Sequence, residues 1–394
     1  MSGVRAPVIV GVATSDLGAT GRSIVELQSQ AALRALGEAG LSMRDVDGLA
    51  TNGMSKFSVP FAAEYFGITP TWSDSSFAGG SSYEMFVTAA ADAVRSGRCE
   101  VALVTYGSNQ RSARSRSLGG VPDPHTPFGQ LEVPYGPLFP LSMYALAAQR
   151  WLHDSDGTSE DLAEVAVAAR EWALRNPEAF RYDTGPLTHA EVLGSKLVSS
   201  PLHVADCCLV TDGGGAVVIT TAERARDLDV APVRILGSGQ AITHDSLAQM
   251  CHTPGGLSVT GAAISAARAL AEAGVSIDDI DTFQLYDSFT ITLLLTLEAI
   301  GLCGRGDSGP WVRSGRLRPD GGGAPINTTG GGLSYCHPGM FGIFLIIEAV
   351  RQLQGRVDAL ISDGGRQVPE ADLAMCHGTG GIFSTHATVI LGRS

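Results

Sequence analysis

AALRALGEAGLSMRDVD (residues 31–47) and SAARALAEAGVSIDDID (residues 265–281) repeat one pattern about 234 residues apart, with about ten of the seventeen aligned positions identical. Two unrelated helices would not agree so far. Each stretch sits between strand-like segments: VIVGVA (8–13) and VDGLAT (46–51) flank the first, VRILGSG (233–239) and FQLYDSF (283–289) the second. In the first copy the apolar spacing predicts a helix over residues 24–40 with Gly40 as its stop. AVRSGRCEVALVTYG (93–107) and AVRQLQGRVDALISDG (349–364) form a second matching pair, read as helix then buried strand. Two copies of a βαβ-type unit, each about 120 residues of core, imply duplicated α/β layers packed on each other, with a site where the halves meet. The halves fall at residues 1–230 and 231–394.

Between the strand near Tyr106 and a closing strand, AVVIT (216–220), lies an insertion of roughly 100 residues, about 109–205, the length of a lid or binding module. Its segment SEDLAEVAVAAREWALRNP (159–177) predicts a helix with Ser159 as N-cap, Glu160 and Asp161 in the first turn and Pro177 past the end. The whole chain, 394 residues and 44% apolar, suits two or three packed domains rather than disorder. A net charge of −13 opposes nucleic-acid binding. No run of eighteen apolar residues occurs and the first residues form no export signal, so a cytoplasmic protein off the membrane is expected. Seven cysteines without CxxC spacing fit neither a disulfide framework nor a zinc finger.

Three further stretches carry a family resemblance: EVLGSKLVSSPLHVADCCLVTDGGGAVVI (191–219), PINTTGGGLSYCHPGMFG (325–342) and CHGTGG (376–381). With the duplication, they make nearly the whole chain similar to the thiolase superfamily, in its sterol-carrier-protein thiolase type. The resemblance implies the five-layered αβαβα thiolase fold, usually dimeric. The departures are chemical. Thiolases attack the thioester with a cysteine in a C-x-[ST]-G type turn, and DSSFAGGSS (74–82) puts Phe77 there, which has no lone pair to offer. The turn that helps bind the thioester oxygen reads YDSF, with Tyr286. Tyr335 and Cys336 now precede His337.

This combination resembles a narrower set, the thiolase-like lipid-transfer-protein aldolases of bacterial steroid side-chain breakdown. That resemblance implies retro-aldol cleavage of a β-hydroxyacyl-CoA, releasing a ketosteroid and propionyl- or acetyl-CoA. It also implies a DUF35 partner of OB-fold and zinc-ribbon type, bound to a homodimer core as an α2β2 heterotetramer. Any zinc would sit on that partner, and coenzyme A enters only as part of the substrate.

A retro-aldol needs a base for the β-hydroxyl, an electron sink and an acid for the enolate. Lys56 and Lys196 are the only lysines, neither in a catalytic motif, and the nine histidines show no metal-binding spacing. The sink left is the substrate's own thioester, its enolate oxygen held by hydrogen-bond donors worth roughly 3 to 4 kcal/mol each. Backbone amides around Gly330, Gly331, Gly378 and Gly380 are the candidate donors. Phenolate at pH 7 costs about 4 kcal/mol in a free tyrosine, whereas a histidine accepts a proton readily. Tyr286 and Tyr335 are therefore read as an acid/base pair acting with His337, the order of roles left open. An inward Asp287 carboxylate would hinder phenolate formation. Asn327 is expected to fix its turn. Cys376 stands where thiolases keep an acid/base cysteine, but it and Cys336 also suit plain core packing. Arg111, Arg114 and Arg116 could meet CoA phosphates or form a solvated cluster. Two alternatives remain: a thiolase or acyltransferase whose nucleophile has moved to Cys336 or Cys376, and a non-catalytic subunit that binds acyl-CoA or lipid.

Overall fold

The computed structural model describes residues 5–53, 56–115, 123–245, 261–357 and 359–394. Arg116 lies outside them. The first half runs β1 (Pro7–Thr14), α1 (Ile24–Glu38), β2 (Gly48–Ala50), α2 (Ser58–Phe66), β3 (Trp72–Asp74), α3 (Ser82–Arg95) and β4 (Ala102–Ser108). The insertion follows with α4 (Pro127–Leu131), α5 (Leu141–Asp154), α6 (Ser159–Ala173), α7 (His189–Gly194) and a small hairpin, β5 (Leu197–Ser199) and β6 (Leu202–His203). The first half then closes with β7 (Gly213–Thr221) and α8 (Ala222–Ala225). The second half holds β8 (Val233–Ile242), α9 (Gly261–Ala273), β9 (Thr282–Leu285), α10 (Thr290–Ile300), α11 (Ser308–Arg313), α12 (Gly342–Leu353), β10 (Leu373–Gly380) and β11 (Thr385–Arg393).

The strands join in the order β3-β2-β4-β7-β1-β8-β11-β10-β9. Read outward from its centre, each half repeats the same arrangement, β1-β7-β4-β2 in one and β8-β11-β10-β9 in the other. Among the described residues the two half-sheets pair at Val8↔Arg234 and Ile9↔Val233. That short seam lets α3 touch strands of both halves, β4 and β7 on one side and β10 and β11 on the other, with α12 beside it. Helices α1 and α9 cover the outer faces. The result is the expected αβαβα layering, and α12 in the middle layer is buried almost all round, from Ile343 to Val350.

The repeated residues have repeated reasons. A Cβ on Gly11 would stand 2.1 Å from Ala35 O, and one on Gly237 2.2 Å from Ala269 O, so a glycine strand and an alanine helix face meet at backbone contact in both halves. Ser42–Asp45 and Ser276–Asp279 form matching capping boxes on single helical turns. Asp47 accepts from the amides of Glu100 and Val101, and Asp281 from those of Asp372 and Leu373. This last pair corrects the second sequence match: the counterpart of β4 is β10, while Ile361–Asp363 is a single exposed turn. In the insertion, α6 forms as expected but begins one residue early, at Ser159, because Thr158 rather than Ser159 caps it, boxed with Asp161. Among the described residues no helix is long and apolar enough to cross a membrane.

Candidate active site

Tyr286 leaves β9 where its amide donates to His377 O (3.0 Å), which fixes the ring's origin between the halves. The phenol lies 2.9 Å from His337 Nε2 and accepts the amide hydrogen of Phe341 (3.1 Å). With Phe341 N–H donating to the phenol oxygen, the hydroxyl hydrogen is left for His337, and in the tautomer protonated at Nδ1 it is Nε2 that accepts it. Phe341 is also the residue that opens α12, so the phenol oxygen sits at the positive end of a twelve-residue helix. His337 is clamped through its backbone by Thr211 and sits in a turn that Tyr106 braces, donating to Pro338 O (2.7 Å) and accepting from Met340 N (3.1 Å). Burial lowers the His337 imidazole to about 4, so it is neutral at pH 7. Burial likewise holds the Tyr286 phenol well above its ordinary range.

The first half contributes space. A Cβ on Gly80 would lie 2.2 Å from Tyr286 Cε2 and 2.5 Å from Thr379 O, so the ring occupies the volume a side chain at 80 would need. Phe77, expected at the nucleophile's place, instead has its side chain at the surface, 60% exposed. The position that faces Tyr286 is Gly80, three residues on.

Tyr335 is placed otherwise than the pairing with Tyr286 requires. It ends a single π-helical turn, Gly331–Tyr335, and its ring packs edge-on against Phe344, within the field of Glu178, Arg351 and Arg366. None of its described contacts reaches Tyr286 or His337. The same turn consumes the amides expected to bind an enolate oxygen: Gly330 N donates to Asn327 O, Gly331 N to Thr329 Oγ1, and Gly332 N to Asp287 Oδ1 (2.7 Å). Gly330 and Gly331 are therefore structural, both with positive φ, and a Cβ on Gly331 would overlap Asp287. Asp287 points into this turn and away from the Tyr286 phenol, buried and raised to about 7 by desolvation against the pull of the Gly332 and Leu333 amides. Asn327, at φ 52°, bonds both backbone atoms of Leu285 and fixes the turn as expected.

Gly378 and Gly380 lie in β10, where Cβ atoms would strike Glu84 and Ala78 O. Cys376 is fully buried with its Sγ 3.6 Å from Leu345 O, and Cys336 is fully buried in the same core. Burial pushes both thiols well above their ordinary value, so neither is poised as a thiolate. Sequence reasoning missed Tyr144, which carried no motif: it reaches in from α5, donates to Gly381 O (3.0 Å) and stacks on Phe289 at 4.4 Å. A cavity of 210 Å³ opens between the insertion and Leu333–Ser334 of the π-turn, lined also by Cys207, Leu209, Arg170 and Arg181. Arg170 Nε is buried there without a hydrogen-bond partner. Arg111 lies over the Phe180 ring, which it shares with Arg181, and donates to Val210 O.

Comparison with known proteins follows the same lines. The thiolase C-terminal domain-like family model matches residues 239–393. A 17-hydroxy-3-oxo-4-pregnene-20-carboxyl-CoA lyase from Mycobacterium tuberculosis is 34% identical over 93% of this chain and 98% of its own. A steroid side-chain-cleaving aldolase from Thermomonospora curvata is 33% identical over 94% and 97%. Among solved structures, an Ltp2–ChsH2(DUF35) aldolase superposes with a TM-score of 0.86 at 31% identity, covering 98% of each chain. Human mitochondrial 3-ketoacyl-CoA thiolase shares the fold at a TM-score of 0.70 and 16% identity. The chain belongs to the thiolase superfamily, in the sterol-carrier-protein thiolase-like group that includes the steroid side-chain-cleaving aldolases.

Proposed function

We propose that the protein cleaves the side chain of a steroid β-hydroxyacyl-CoA by a retro-aldol reaction, releasing a ketosteroid and propionyl- or acetyl-CoA. One observation carries this reading: a neutral Tyr286–His337 pair stands at a helix N-terminus where the opposite wall, Gly80, offers no nucleophile. In the forward step the substrate's β-hydroxyl gives its proton to Tyr286 Oη as the phenol proton passes to His337 Nε2. The carbon–carbon bond breaks, its electrons entering the thioester as an enolate, and the ketone forms at the former carbinol carbon. The protonated pair then returns a proton to the enolate carbon, so no external acid, base or oxidant is consumed. Phe341 N–H and the α12 dipole stabilise negative charge on the phenol oxygen during the transfer. With the 330–332 amides engaged inside their turn, donors to the enolate oxygen fall to the 378–381 stretch.

In this reading Tyr335 and Asp287 hold the π-turn in place, and the Arg170–Arg181 cavity takes anionic groups of coenzyme A. Arg111 is already engaged with the Phe180 ring and Val210 O. The similarity to an Ltp2–ChsH2(DUF35) aldolase supports a DUF35 partner for this chain, and the proposal adds zinc on that partner and a cytoplasmic homodimer core in an α2β2 assembly. Cys336 and Cys376 take no covalent part, because buried high-pKa thiols are poor nucleophiles. The test is ketone release from a tertiary steroid β-hydroxyacyl-CoA by the chain co-purified with a DUF35 protein. Ketone and short acyl-CoA in equal amounts are expected. An acyl adduct on either cysteine with no ketone would overturn the reading.

A further inference from the structure

Glu84, in α3, stands out among the described residues as a fully buried acid with both carboxyl oxygens unpartnered. Two glycines make room for it: a Cβ on Gly378 would stand 2.2 Å from Oε2, and one on Gly342 would stand 2.6 Å from the same atom. These glycines adjoin the two backbone groups that hold Tyr286, since His377 O accepts its amide and Phe341 N donates to its phenol. Gly80, whose bareness admits the Tyr286 ring, precedes Glu84 by one turn. A buried carboxyl placed between both anchors of a proton-transferring phenol has more than a packing role.

We propose that Glu84 is a positioning residue that must stay a neutral acid for Tyr286 to work, and that its ionisation shuts the site down in alkali. The proposal rests on the retro-aldol reading above. A carboxylate between Gly342 and Gly378 would draw in water and part the two segments, and its charge would oppose any negative charge on the phenol. The surroundings favour the neutral form: burial raises Glu84 to about 8, and no cation contributes to its environment. The groups around it are Cys376 on β10, Tyr83 on α3 and Tyr286 against Gly80, all held protonated at neutral pH by burial. The first turn of α12, Gly342 to Leu345, carries no ionisable side chain. His337 titrates near 4 and cannot supply an alkaline limb. Asp287, raised to about 7, is the competing carboxyl.

The test is the pH–rate profile of ketone release by the full chain with its partner, for wild type, Glu84→Gln and Asp287→Asn. Between pH 7 and 9 the wild-type rate should fall about tenfold, following one titrating group near 8, and the Glu84→Gln rate should change less than about twofold. A limb that persists in Glu84→Gln but vanishes in Asp287→Asn overturns the proposal. A second readout needs no turnover and no folded variant. The infrared difference spectrum of the wild-type protein labelled at glutamate carboxyls should show a protonated, non-hydrogen-bonded carbonyl band at pH 7 that is lost by pH 9. Absence of that band at pH 7 also overturns it. A chain that released no ketone at any pH would sink the reaction assignment, and the infrared band would still decide the state of Glu84.

Discussion

Tyr286 and Tyr335 invite comparison because each phenol is buried in a turn at the meeting of the two halves, and burial drives each well above its ordinary pKa. Their company differs. Tyr286 has a proton acceptor at 2.9 Å, an amide donor at 3.1 Å and a helix N-terminus behind it. Tyr335 has an aromatic edge and a set of charges, Glu178, Arg351 and Arg366, but no described acceptor from the catalytic pair. A phenol becomes an acid/base group through the partner that takes its proton, and burial alone makes it less reactive.

Substitutions can break that contrast. Tyr286→Phe should lower kcat by about 10²-fold or more with little change in melting temperature, measured as ketone release. Gly80→Ala should do comparable damage from the other wall, because its methyl would lie 2.2 Å from the Tyr286 ring. A Gly80→Ala enzyme at wild-type rate would show that the ring is not held where it acts. Arg170→Ala sharpens the substrate side: KM for the acyl-CoA should rise about tenfold with kcat nearly unchanged, the mark of lost uniform binding. Asp287→Asn keeps one oxygen for the Gly332 amide but sets an NH2 donor where the second oxygen accepts from Leu333 N–H, and should destabilise the π-turn by about 1–3 kcal/mol, read by denaturant titration. Tyr335→Phe should change kcat less than about threefold, far short of a lost proton carrier.

Stability should also depend on pH through the buried carboxyls. The folded-state values of Glu84 (about 8) and Asp287 (about 7) lie above their unfolded ones. Their contribution is therefore complete below about pH 4 and is lost as pH rises through 7 and 8. Glu84→Gln should flatten the decline in melting temperature between pH 6 and 9.

The duplication was legible because the identical residues at 31–47 and 265–281 do identical work: alanines that meet a glycine strand, capping pairs, and an aspartate that binds the start of a neighbouring strand. The second repeat misled for the converse reason. DALISDG resembles a strand by composition, yet Asp281 ties its own sheet to residues 372–373. Within the site, Tyr286, His337 and the structural role of Asn327 could be read from motifs. The setting of Tyr335 could not, since no motif announces the single π-helical turn that it ends. Phe77 was placed by motif spacing, whereas the room that Gly80 leaves for Tyr286 shows only in three dimensions. Tyr144 and Glu84 sit in ordinary amphipathic helices, and only three-dimensional neighbours distinguish them from core residues.

The central claim is that Tyr286 and His337 act as one proton-transferring unit, and a double-mutant cycle on the rate of ketone release tests it most directly. If they share one proton path, Tyr286→Phe, His337→Ala and the double variant should lose activity to about the same extent, about 10²-fold or more. Losses that multiply in the double variant, or a Tyr286→Phe enzyme that keeps the wild-type rate, would contradict it.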